Sequence, residues 1–290
     1  KTWNLIGLLS DVHPLGSIRD EADKNDLIIE DYMIDLSLND DLYDALSVYS
    51  KSMEVETLSI PRKRFLESEI YDFKRSGMDL KNKDRKILKE FQLRISELKI
   101  NFANNLSSSS DTIYFDEKLS AGLPEDFKNI HRQANGSYAV DLSSPSFDPF
   151  MKYADSDSLR KLIRYKYLNI GAPQNVHLLE DILDVSDSLA KLLGYPSYAA
   201  YSIEESMAKT PLIVWKFENE LRKKIKNKAM TELEELLTLK REHLGIENVV
   251  INDWDKYYYE NLLLLKEYGV DSEKVKEYFE LKSVMEGFEK

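Results

Sequence analysis

Cysteine is absent from the 290 residues, which excludes disulfides, thiolate ligation of zinc and thiol catalysis. A cysteine-free chain suits a reducing compartment, so the cytoplasm is the expected location. Glycine (10) and proline (8) are scarce, which disfavours a turn-rich β protein. No apolar run approaches the length of a membrane span; the longest, Leu262 to Leu265, is far too short. The chain begins at Lys1 with no signal-peptide profile. Positive charge is short as well, with 40 basic against 52 acidic residues and a net charge of −12. Binding to a phosphate backbone needs the opposite balance, so nucleic acid is excluded as a partner. The one basic cluster, Arg222, Lys223, Lys224, Lys226 and Lys228, runs into Glu232, Glu234 and Glu235. Mixed charge of that kind reads as a solvated helix face.

Histidine, the first residue to seek in a hydrolase or metal site, occurs only at 13, 131, 177 and 243. None belongs to a paired motif: His243 follows Glu242 but has no second histidine four residues on, and H-E-x-x-H occurs nowhere. His177 is the one arrangement in which a metal is conceivable, because Glu180 and Asp181 lie three and four residues further along the same predicted helix. An inverted zinc motif needs histidine at 181, however, and both carboxylates flank the apolar positions Leu179, Ile182 and Leu183. An exposed, unliganded His177 is the favoured reading. G-x-S-x-G, G-x-G-x-x-G and the phosphate loop are all missing. The acidic pairs Asp40–Asp41 and Glu234–Glu235 read as caps and solvated faces. Tyr257, Tyr258 and Tyr259 point about 100° apart on a helix, so a core or domain-contact role suits them better than a shared surface. No catalytic, cofactor-binding or metal-binding residue is assigned to this chain.

What is abundant is helical periodicity. Leu88, Phe91, Ile95, Leu98, Phe102 and Leu106 recur at steps of three or four and make one apolar stripe. Leu42, Ala45, Leu46, Tyr49 and Met53 make another, and Val176, Leu179, Leu183, Ser186, Leu189 and Leu193 a third, with Gly194 as its stop. Thr210 and Pro211 occupy the N-cap and first position of the longest helix, which ends at His243 or Leu244 before Gly245 and spans roughly 50 Å at about 1.5 Å per residue. Asn252 or Asp253 starts a further helix ending near Gly269, and Asp271 caps the next. Between them lies a change of pattern: Thr112 to Phe115 is β-prone, Pro124 opens a brief helix that Gly136 closes, and Tyr138 to Leu142 alternates in polarity. The fold class is therefore mainly α with a small β excursion near 112–142. Three regions follow: helices over 1–106, short strands and loops over 107–155, and helices again over 156–290. The last apolar pattern, with Val284 and Phe288, has no capping signal and reads as cut rather than finished.

Several blocks, taken in order, resemble one family. They include Phe73-Lys-Arg-Ser-Gly-Met-Asp-Leu80, Arg94-Ile-Ser-Glu-Leu98, Phe102-Ala-Asn-Asn-Leu106 and Ala121-Gly-Leu-Pro124. Pro149 to Asp155, Leu192 to Ala199, Ser206 to Pro211, Asn252 to Tyr258 and Tyr278 to Val284 continue the series. Together they are similar to the zinc oligopeptidases comprising thimet oligopeptidase, neurolysin, oligopeptidase A and dipeptidyl carboxypeptidase. The resemblance implies an almost wholly helical, two-half channel peptidase, monomeric and acting on short peptides. It also implies a zinc ion held by H-E-x-x-H and a later glutamate, none of which any position here can supply. This chain then corresponds to the non-catalytic N-terminal part, inactive alone, whose region 156–290 leads into the catalytic half. Endopeptidase and dipeptidyl carboxypeptidase modes both remain open. Gly171 to His177 departs from the acidic, Asn-rich approach expected there. A piece parted from its other half is expected to expose apolar surface, first at Val284, Met285 and Phe288 and second at Tyr257 to Tyr259. The competing reading is a non-enzymatic helical scaffold, and a downstream H-E-x-x-H would separate the two.

Overall fold

The computed structural model describes residues 2–108, 111–172 and 174–288. In chain order the helices are α1 (Thr2–Val12), α2 (Gly16–Ser37), α3 (Asp40–Tyr49), α4 (Ile60–Phe73), α5 (Asn82–Ser107), α6 (Glu125–His131) and α7 (Ser144–Tyr153). They continue as α8 (Asp157–Leu168), α9 (Gln174–Leu192), α10 (Tyr198–Ile203), α11 (Pro211–Leu244), α12 (Lys256–Tyr268), α13 (Ser272–Lys276) and α14 (Leu281–Phe288). Two strands, β1 (Thr112–Phe115) and β2 (Tyr138–Asp141), form an antiparallel pair in the register Thr112↔Asp141 to Phe115↔Tyr138. The protein is mainly α with one small sheet, as the patterning predicts. No helix among the described residues is long and apolar enough to cross a membrane.

The chain divides into two compact units, each built from two stretches: Lys1–Ser107 with Gly171–Phe217, and Ser108–Ile170 with Glu218–Lys290. In the first unit α5 packs along α9, and Leu88, Ile95 and Leu189 are buried between them against Phe91, Val185 and Leu193. The stripe predicted on α5 is thus the one that faces the core. Only the second half of the α9 stripe does so: Ser186 and Leu189 are buried, whereas Val176, Leu179 and Leu183 are exposed. Asn175, buried at the start of α9, donates from Nδ2 to the Phe102 carbonyl (3.1 Å) and accepts from Asn105 Nδ2 (2.9 Å). The Phe102 carbonyl thereby gains a second donor beside its own helix, and the last turns of α5 are pinned to the start of α9. They also account for Gly171 in the loop before α9: at φ 73° its missing Cβ would lie 2.8 Å from Asn175 Nδ2.

Gly77 ends α4 through a wide turn at φ 105°, where a Cβ would lie 2.4 Å from Leu88 Cδ2. Glycine here lets the chain reverse directly against the core, which no L side chain could do without displacing Leu88.

In the second unit the alternation expected over Tyr138 to Leu142 is seen, with Tyr138 and Val140 buried and Asp141 facing out, and β1 alternates too: Ile113 and Phe115 are buried while Thr112 and Tyr114 face out. Phe115 stacks on Tyr138 with ring centroids 5.4 Å apart and meets Phe150 edge-on at 5.5 Å. Val140, Phe147, Met151 and Ile163 complete this core. Two boundaries differ from the sequence reading. The helix opened by Pro124 ends at His131, and Gly136 lies in the following turn, where Gln133 N–H bonds the Ser137 carbonyl (2.8 Å) and closes the chain back toward β2. The helix expected from Asn252 or Asp253 begins at Lys256, because residues 252–255 are drawn into a turn by Asp255.

Candidate functional site

The sequence points first to His177. It lies on the first turns of α9 with its ring 83% exposed and Nδ1 3.3 Å from Glu180 Oε2, itself 67% exposed. Asp181 does not join them: its carboxylate lies 3.8 Å from Arg94 Nη2. A cation there would have one nitrogen, one carboxylate and bulk water, with nothing to hold the ring in place. The other histidines are otherwise engaged. His131 Nδ1 lies 3.0 Å from the Ala139 carbonyl with its ring against Phe127, and His13 Nδ1 accepts from Leu15 N–H at 3.2 Å. His243 Nδ1 lies 3.4 Å from the Tyr259 hydroxyl. Among the described residues no group of three or more His, Asp or Glu is placed to hold a metal ion. The residues present do not fit zinc.

Other singled-out groups take the solvated positions expected of them. The basic cluster of α11 is exposed throughout, and Glu234 pairs with Arg241 at 2.7 Å. Asp40 and Asp41 occupy the first turn of α3, where carboxylates are favoured by the helix dipole, and Asp40 also accepts from Arg85 Nη1 (2.6 Å). Tyr258 and Tyr259 are buried, 4% and 2% exposed, and Tyr257 is half-buried against the core of the second unit. They are core residues and not the exposed patch also considered for them. Val284, Met285 and Phe288, by contrast, stand 46%, 50% and 86% exposed.

The most built polar constellation is one that no motif announces. Asp255, fully buried, accepts from Lys240 Nζ at 2.7 Å, from the Asn252 backbone N–H at 2.8 Å, from Asn252 Nδ2 at 2.9 Å and from Arg160 Nη2 at 3.4 Å. Arg160 also donates from Nη1 to the carbonyls of Ala154 (2.7 Å) and Asp155 (3.0 Å), and its guanidinium lies 4.1 Å from the Tyr258 ring centroid. Lys240 adds a bond to the Val250 carbonyl (3.0 Å). Tyr258 donates its hydroxyl proton to Asp155 Oδ1 (2.9 Å). Burial alone would push the Asp255 carboxyl up, but the hydrogen bonds from Lys240 and Asn252 outweigh it and hold the carboxyl below its ordinary value. Burial, reinforced by the Asp255 charge, pushes the Tyr259 hydroxyl up to about 12.

These groups fasten α8, the end of α11 and the turn before α12 to one another. They have no spare valence for chemistry: the carboxylate already accepts four donors, about as many as its lone pairs allow, and it has no contact with solvent. A general base needs a free lone pair within reach of a substrate proton. The cluster is structural. A faint signal for it exists in the sequence, since Lys240 falls four residues after Leu236 on the inward stripe of α11. Nothing marks Arg160 or Asp255 as its partners.

The first unit holds a second polar cluster. Arg75 lies 4.3 Å from the Tyr201 ring centroid and donates from Nη2 to the Tyr201 carbonyl (2.5 Å). Glu204 accepts from the Tyr195 hydroxyl (2.6 Å), and Glu204 and Glu205 each lie 3.6 Å from the guanidinium. Burial and the Glu204 bond push the Tyr195 hydroxyl up to about 12, and the same bond lowers Glu204.

Comparison with known proteins places these features. Residues 150–290, which contain Arg160, Lys240 and Asp255, match the model of peptidase family M3. Saccharolysin of Saccharomyces cerevisiae is 31% identical over 98% of this chain and 42% of its own length. The thimet-like oligopeptidase of Dictyostelium discoideum is 27% identical over 93% of this chain and 42% of its own. Oligopeptidase A of Escherichia coli is 25% identical over 96% and 43%, respectively. The chain thus spans about two fifths of the length of the relatives it matches.

Proposed function

Because this chain belongs to peptidase family M3, we propose that it forms the non-catalytic wall of a zinc-dependent oligopeptidase. In a protein of its relatives' length, that enzyme would hydrolyse short peptides. The supporting observation is the breadth of the similarity: it runs over 98% of this chain and accounts for 42% of saccharolysin, while no H-E-x-x-H lies within these residues. Zinc belongs to this reading through the family, and its ligands are sought outside residues 1–290. No step of hydrolysis is assigned to the side chains described above.

Their part in this reading is to bind and to exclude. A helical wall offers peptides a surface of rigid elements and bars folded proteins by narrowing access. Rigidity is what the Asp255 cluster contributes, by tying α8 to α11 without flexible loops between the contacts. α14 has a part as well: Leu281, Val284, Met285 and Phe288 leave its apolar side in water, and a helix of 8 residues has little stability by itself. In the longer protein this side would pack against the remaining chain.

The test is an assay of a quenched fluorescent peptide with the protein extended to its relatives' length, before and after chelation. Turnover that the chelator abolishes and zinc restores supports the reading. Chelator-resistant turnover, or no turnover in the zinc-loaded extended protein, overturns it.

A further inference from the structure

Between α2, α3 and α4 lies a groove of about 370 Å³ that the core of the first unit does not use. Its apolar side chains are Met33 and Leu36 from α2, Leu42 and Leu46 from α3, and Phe65 and Phe73 from α4. Phe73 is the buried floor, braced by Tyr43 at a ring separation of 5.9 Å. Phe65, 65% exposed, stands at the rim. Helix α3 buries no residue at all, so the apolar stripe read on it from Leu42 to Tyr49 faces this groove and solvent instead of a core.

The charges around the groove are of one sign. Glu69 and Asp72 line it on the same side of α4 as Phe65, no basic residue lines it, and among the described residues neither carboxylate has an ion pair or hydrogen bond. Other carboxylates of this unit have cation partners, as Asp35 has Lys89, Asp40 has Arg85 and Glu204 has Arg75. An apolar trough between helices with an unpaired acidic rim is complementary to one kind of occupant: a helix that carries apolar side chains on one face and lysine or arginine beside them. A second copy of this chain fits poorly, because a net charge of −12 opposes bringing two acidic rims together.

We propose that this groove docks a basic amphipathic helix of a partner protein. Its apolar residues would seat against Leu36, Leu42 and Phe65, and its cations would pair with Glu69 and Asp72. The proposal is independent of the peptidase reading, since it needs neither zinc nor turnover.

The experiment titrates this chain into a fluorescein-labelled leucine–lysine peptide that forms an amphipathic helix, followed by anisotropy. A leucine–glutamate peptide is the counterpart. Saturable binding of the first peptide only is expected. The double variant Glu69→Lys with Asp72→Lys should weaken it about tenfold, as the loss of two exposed ion pairs would. Phe65→Ser should weaken it to a similar degree, and its exposed ring makes the variant safe for folding. The control Glu218→Lys with Glu220→Lys changes net charge equally on an exposed part of α11 and should leave binding within about threefold. Circular dichroism checks each variant for folding. Equal loss in the control, equal binding of the acidic peptide, or no binding of the basic one overturns the proposal. So does sedimentation showing that the groove is closed by self-association which Phe65→Ser abolishes.

Discussion

Arg160 donates from Nη2 to Oδ1 of Asp255 over 3.4 Å, across ninety-five residues of chain, with the two side chains 3% and 0% exposed. Lys240 reaches the other oxygen at 2.7 Å, so one buried carboxylate holds two buried cations. Removing its charge leaves Lys240 buried without a carboxylate, while Arg160 keeps Asp157 at 3.3 Å. Asp255→Asn keeps the shape and should destabilise the chain by about 3–5 kcal/mol, the usual cost of leaving a buried charge without its partner. Urea denaturation measures this, and a loss below about 1 kcal/mol would contradict the role given to Asp255.

The same residue sets a dependence on pH. Its folded carboxyl lies below the ordinary value, so the unfolded chain, at about 3.9, takes up the proton first as pH falls. The stabilisation from Asp255 is therefore complete above that value and is lost as pH falls below it toward the folded value. The stability gap between the native chain and Asp255→Asn should be constant from about pH 7 to 5 and narrow below about pH 4. Other carboxylates titrate in both proteins and cancel in the difference. A gap that stays constant down to acid unfolding would show that the Asp255 charge is not the source of the stability.

Gly77 and Leu88 form a second testable pair. Gly77→Ala places a Cβ 2.4 Å from Leu88 Cδ2 on a backbone of φ 105°, and about 2–4 kcal/mol of destabilisation is expected from clash and strain together. Leu88→Ala alone should cost about 2–5 kcal/mol through the cavity it leaves. The double variant should cost less than the sum by about 1 kcal/mol or more, because removing the Leu88 side chain relieves the clash. Additive costs would show that the turn strain arises elsewhere.

Much of this architecture was legible in the linear pattern, and the exceptions share a cause. The α11 limits, Pro211 and Leu244, follow from local chemistry: a Thr210–Pro211 start and a Gly245 stop. The strand pair follows from alternation, and the stripe on α5 from a period that only one burial pattern satisfies. What escaped depends on partners distant in sequence. Asn252-Asp-Trp-Asp255 reads as a surface cap until Lys240 and Arg160 are seen to converge on it. The upper part of the α9 stripe reads as core, yet Val176, Leu179 and Leu183 are exposed among the described residues, because periodicity reports amphipathicity and not what covers it. His177 reads as a conceivable ligand until Asp181 is found beside Arg94.

Asn175 links the ends of α5 and α9, and that too can be measured. Asn175→Ala removes the second donor to the Phe102 carbonyl and leaves the Asn105 amide without its acceptor, at an expected cost of about 0.5–1.5 kcal/mol. Hydrogen exchange should show the last turn of α5 losing protection before the rest of that helix. Unchanged protection over residues 102–107 would mean that the bond contributes nothing to holding the two helices.

The proposal that this chain supplies a wall to a peptidase without itself hydrolysing peptides is tested most directly by one assay. The purified chain is mixed with a quenched fluorescent peptide in the presence of zinc, with and without chelator, beside the protein extended to its relatives' length. The account predicts no turnover by this chain alone and chelator-sensitive turnover by the extended protein. Chelator-sensitive turnover by residues 1–290 alone, at a rate comparable to that of the extended protein, would contradict it.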